Sequence, residues 1–175
     1  MRDVVLVVHP GEEPFDVFLT AADTLLAADQ FPAAVVSAQT ACEVITETAI
    51  GFWLWELQLP SRGRQRLKNV LQVLRDSFRT FTLTNERLGR LYVALSDDPI
   101  KEHPFWQRYV EHERRRHRVV HKGYVTTRDE AEQSLAVARE FVEHMKGTLP
   151  LAPYEPPGSW WEDEEASGLG GEPNA

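Results

Sequence analysis

Cysteine is nearly missing from this chain. Cys42 stands alone among 175 residues, so no disulfide can form within it and a cysteine-based zinc site is not expected. Long apolar runs are missing as well. Val4-Val5-Leu6-Val7-Val8 is cut off by Pro10 and Gly11, too short for a signal-peptide core or a membrane span. A reduced, cytoplasmic protein with no membrane partner is expected. Basic residues are absent from 151–175, which hold six acids: Glu155, Glu162, Asp163, Glu164, Glu165 and Glu172. The net charge of −8 argues against a nucleic-acid partner, because phosphate binding draws on Lys and Arg. Most of that acidity is a tail, however, and residues 1–150 carry 19 basic against 21 acidic side chains.

A hydrophobic content of 42% in a chain of this length supports one ordinary core. The expected organisation is an extended arm over 1–13, one helical domain over 14–149, and a Pro/Gly-rich acidic tail over 150–175, disordered or loosely docked. Phe15, Phe18, Leu19, Ala22, Leu25 and Leu26 recur at steps of three and four, which predicts a first helix from Pro14 to Ala28. Asp29 is a plausible cap for a second helix running to about Leu57. Glu43, Glu47 and Glu56 are the only charges of that helix, so it should be the central, most buried one.

Leu67, Val70, Leu71, Leu74 and Phe78 form the next stripe, and Leu88, Leu91, Tyr92 and Leu95 resume it after the β-favouring stretch Thr80–Thr84. One broken helix and two short ones fit equally well. Phe105, Trp106, Tyr109, Val110 and Val120 mark a further helix ending near Gly123, a natural residue beyond a helix C-terminus. Thr127 and Glu130 form a capping box ahead of a last helix carrying Ala131, Leu135, Ala138, Val142 and Met145. The whole is an all-α, up-and-down bundle of about five helices.

Basic residues gather in segment 62–90 and again in 108–122. The densest stretch is Arg114-Arg115-Arg116-His117-Arg118-Val119-Val120-His121-Lys122-Gly123, where self-repulsion implies that the helix faces either solvent or an anion. His117 and His121 share a helix face, whereas Arg116 and His121 point about 140° apart on an ideal helix. These last two converge only if the helix unwinds near Gly123 or if a second copy supplies one of them. His112, His117 and His121 lack a Cys or carboxylate that would complete a tetrahedral metal set, and no metal or other cofactor is expected. Glu43 and Glu47 either pair with these arginines or mark an exposed helix edge.

Arg116, polar His117, three intervening residues and His121 resemble the Arg-x4–6-His motif of HEPN domains. The Gly after the His, the capped Ala-rich helix behind it, and the small residues Ala33–Ala41 leading to Glu43 are similar to the same family. The resemblance implies a HEPN-like fold and metal-independent endoribonuclease activity in a toxin–antitoxin or antiviral setting, leaving a 2′,3′-cyclic phosphate. His121 would transfer the proton, Arg116 clamp the phosphate and His117 orient it. Arg114, Arg115, Arg118 and Lys122 would hold RNA, with Glu43, Glu47 and Tyr124 as accessories. Tyr124 lies three residues after His121 rather than the two seen in some toxins of the family. The implied partners are RNA, a second copy completing a composite site, and an antitoxin or other regulatory partner. A non-catalytic module that binds RNA, a nucleotide or a protein is the rival function, and the acidic tail could cover the basic cleft as a mimic of RNA.

Overall fold

A computed structural model describes residues 13–56, 73, 76–77 and 81–149. The Val4–Val8 arm, the apolar stripe from Leu67 to Phe78, the basic cluster from Arg62 to Lys68 and the acidic tail lie outside the described residues. Five α-helices have both ends within the described residues: α1 (Pro14–Ala27), α2 (Phe31–Glu56), α3 (Glu86–Ser96), α4 (Trp106–Lys122) and α5 (Arg128–Thr148), and Val73, Asp76 and Ser77 are helical as well. A single 3₁₀ turn over Ile100–Glu102 precedes α4, and no described residue is in a strand. None of these helices is long and apolar enough to cross a membrane.

The near absence of charge from α2 has the expected result, since it packs against α1, α3, α4 and α5. Its inward positions are mostly small. Ala34, Ala38, Ala41, Cys42 and Ala49 are buried, which lets neighbouring backbones come close. Asp29 is not the cap that the sequence suggested. It adopts a left-handed conformation (φ 59°) in the turn that closes α1, which Asp tolerates better than most residues, and its carboxylate accepts a hydrogen bond from Arg128.

The β-favouring stretch before α3 is a helix break. Phe81 and Leu83 anchor it in the core, and the Asn85 side chain accepts from the backbone N–H of Arg87 and Leu88 to start α3. Gly89 then packs directly on this turn. An added Cβ would stand 2.6 Å from the Leu83 carbonyl oxygen, and that oxygen belongs to backbone that cannot swing aside. Gly to Ala in an open helix gains roughly 0.5–1 kcal/mol. Here the clash should win, and Gly89→Ala is expected to cost about 1–3 kcal/mol, read as a lower urea midpoint at unchanged slope.

Helices α4 and α5 meet through aromatic packing, with Tyr109 stacked on Phe141 at 4.3 Å between ring centroids. The predicted capping box is present at Thr127 and Glu130. Arg128, at the start of α5, lies over the Phe31 ring and reaches Asp29, so the α1–α2 turn, the end of α4 and the start of α5 share one end of the bundle. Lys146 donates to Asp16 at 2.8 Å, which places the start of α1 and the end of α5 at the other.

Candidate functional site

The second half of α4 carries the basic motif and stays regular to Lys122. Gly123 terminates it with φ 60°, a conformation open to a residue without Cβ, and the N–H groups of Gly123 and Tyr124 both return to the Arg118 carbonyl. His121 and Lys122 occupy the last turn, where the exposed carbonyl ends of the helix favour positive charge.

The arginines look alike in sequence and go to four different places. Arg114 is exposed and pairs with Glu111 one turn back at 3.2 Å. Arg115, grouped above with the RNA-holding side chains, is only 9% exposed and is inserted between α4 and α5. It donates to Ser134 Oγ at 2.6 Å and lies 3.8 Å from Glu130. A guanidinium used this way clamps two helices together and is not presented to RNA. Arg116 turns towards α2 and ends 3.9 Å from Glu43, both side chains being about three-quarters buried. Arg118 lies over the Tyr124 ring, 4.3 Å from its centroid, and Lys122 is exposed.

Tyr124 donates its hydroxyl to Glu130 at 2.9 Å. Its visible work is to fix the turn after α4 and support Arg118. The Glu130 carboxyl is held below its usual range, first by the Thr127 backbone N–H and also by the Tyr124 hydroxyl and Arg115.

His117 and His121 are exposed with ring centroids 4.6 Å apart, as the four-residue spacing predicts. Arg116 is not with them. Because the helix does not unwind before Gly123, Arg116 faces the α2–α4 seam while the imidazoles face outward. No family model, curated protein or solved structure matches this chain.

Behind Arg116 lies a polar seam that hydrophobic patterning did not reveal. From α2 come Gln39 and Glu43, and Gln39 donates to Glu43 at 3.3 Å. From α4 come Tyr109, His112, Glu113 and Arg116, at steps of three and four that put them on one face. Thr84 donates to Glu113, and Thr82 lies 3.5 Å from the Tyr109 hydroxyl. Burial raises the Glu43 carboxyl above its ordinary range; Gln39 and Arg116 pull it back, and Glu113 pushes it up again. His112 is fully buried with no protein hydrogen bond at either ring nitrogen, and burial, with Arg115 and Arg116 nearby, lowers it to about 3. It therefore does not share a face with the exposed His117 and His121. Glu47 sits one turn beyond Glu43 and is half-buried.

The signal for this seam was available in the spacing. Gln39 and Glu43 are one turn apart on a helix with very few charges, opposite a helix bearing His112, Glu113 and Arg116. Buried polar side chains on facing helices are usually placed to pair with one another, as Gln39, Glu43 and Arg116 do here, while the His112 ring nitrogens find no protein partner.

Proposed function

We propose that this chain is a HEPN-type, metal-independent endoribonuclease that acts as a homodimer in a toxin–antitoxin or antiviral defence setting. The observation that carries this is the exposed His117–His121 pair on the same end of α4 as Arg116, which pairs with Glu43 of α2 on another face of that helix. An imidazole titrates near neutral pH, so one can take the proton from a ribose 2′-OH as the 2′-oxygen bonds to phosphorus. The P–O5′ bond breaks in the same step, and a second imidazole returns a proton to the leaving 5′-oxygen. A guanidinium, charged at every relevant pH, neutralises the pentacoordinate phosphorus centre. These steps give a 2′,3′-cyclic phosphate and a 5′-hydroxyl.

Arg116 and His121 diverge within one chain, which favours a two-fold arrangement in which Arg116 of one protomer serves the imidazoles of the other. The same divergence is the observation that favours a second reading, a non-catalytic module that binds RNA, a nucleotide or a protein partner. One assay separates the two. Labelled single-stranded RNA incubated with the purified chain in the presence of a chelator should yield cyclic-phosphate ends, and His121→Ala should slow the cleavage by at least about 100-fold. Undiminished cleavage by His121→Ala would remove His121 from the mechanism, and RNA retention without cleavage by the unaltered chain would establish the binding module.

A further inference from the structure

Alongside the end of α4 runs an open apolar groove of about 630 Å³. Phe18 and Leu25 of α1, Pro32 and Val36 of α2, and Val119 and Val120 of α4 form its walls. The two hydroxyls that line it are turned away into helix backbone. Ser37 donates to the Phe18 carbonyl at 2.8 Å and Thr40 to the Val36 carbonyl at 3.0 Å, so the surface left to a ligand is hydrocarbon. Its size is that of a pocket for one or two aromatic side chains and falls well short of an extended interface between proteins. On the α4 side the groove is bordered by cations, since Arg118 and Lys122 flank Val119 and Val120 along the helix.

We propose that this groove is the docking site of the chain's own C-terminal segment, with Trp160 and Trp161 seated among its apolar walls and Glu162 to Glu165 laid over the cationic end of α4. Three features select this occupant. The tail has an aromatic pair followed at once by four acids, the order that matches an apolar groove with a cationic border, and it has no Lys or Arg to oppose docking. The reach is right. Helix α5 spans about 31 Å from the groove end of the bundle to the far end, and the stretch from Leu149 to Trp160 covers at most about 36–40 Å when extended. That stretch holds Pro150, Pro153, Pro156 and Pro157, which favour an extended chain. The apolar run Val4–Val8 could also reach the bundle but brings no charge to complement that border.

Docking within one chain needs little intrinsic affinity, because a short tether holds the segment at an effective concentration in the ~mM range. The docked segment is released by anything that competes for the cations or for the groove. The docking stands or falls independently of RNA cleavage.

The test uses the full chain labelled with 5-fluorotryptophan, whose five fluorine resonances (Trp53, Trp55, Trp106, Trp160, Trp161) are assigned by single Trp→Phe variants. The resonances of Trp160 and Trp161 should lie away from the position of free fluorinated indole and should not change on dilution. Val120→Glu puts a carboxylate in the groove at a position already 48% exposed, so far-UV circular dichroism should be unchanged. Both tail resonances should then move to the free position while the other three stay. Tail resonances already at the free position in the unaltered chain, or indifferent to Val120→Glu, would overturn the proposal. So would resonances that shift on dilution together with a change of mass in solution, which would assign the groove to a second copy.

Discussion

Mixing two inactive chains, one carrying Arg116→Ala and the other His121→Ala, is expected to restore RNA cleavage. The ceiling is roughly a quarter of the unaltered rate, since half of randomly assorted dimers are mixed and each mixed dimer has one intact site of two. Either variant alone should fall by about 100-fold or more, as loss of a positioned acid–base group or of a charge-stabilising donor does. The gain on mixing should then be at least about tenfold. The expectation follows from the proposed composite site. Arg116 faces Glu43 across the α2–α4 seam, while His121 lies on the outward face of the same unbroken helix. If each site drew both groups from one chain, every site in the mixed dimer would lack one of them and no activity would return. The measurement is initial rate against mixing ratio after a cycle of dissociation and reassociation.

The second large effect is on acid stability and centres on His112. Its ring is neutral in the fold, where burial lowers it to about 3, and titrates near 6.5 in the unfolded chain. Above pH 6.5 both states hold the neutral ring and the residue contributes no pH dependence. As the pH falls below that, the unfolded chain takes up a proton that the fold refuses. Stability should drop by about 1.4 kcal/mol per pH unit down to about pH 3, amounting to roughly 2–3 kcal/mol at pH 4.5. Glu43, raised by burial, titrates in the opposite sense, so the informative quantity is the difference between parent and variant. His112→Phe should flatten the limb between pH 6.5 and 4. At pH 7 it should be at least as stable as the parent, because both ring nitrogens it removes lack a protein partner. Urea titrations across that range check it, and an equally steep limb in His112→Phe would assign the acid sensitivity elsewhere.

The helices were legible because apolar periodicity and helix-end chemistry speak for themselves. The sparsely charged α2, the Gly123 terminus and the Thr127–Glu130 box all follow from residue type and spacing. Asp29 was misread because Asp serves equally well to start a helix and to sit in a left-handed turn, and here the N–H groups of Asp29 and Gln30 return to Leu26 and Leu25 to close α1. Within the site, the triple arginine run hid three fates. The inward face of α4 passes through Trp106, Tyr109, His112 and Arg115, and a face half polar gives no hydrophobic signal. Val120, which continued the apparent apolar stripe, is exposed instead. Phe18 and Leu25 likewise fit the core pattern of α1 yet line the open groove. Apolar spacing shows which face is greasy, and only the neighbouring helices determine whether that face is covered.

Cys42, the only thiol, is fully enclosed beside the Ala138 carbonyl. Burial, reinforced by the adjacent Glu43 charge, keeps it protonated well above the ordinary thiol range. Thiol-directed alkylating reagents and thiol oxidants therefore have no foothold on Cys42 in the folded chain. The same seclusion makes the protein a ready host for a reporter dye, since any cysteine placed on its surface would be the one that reacts.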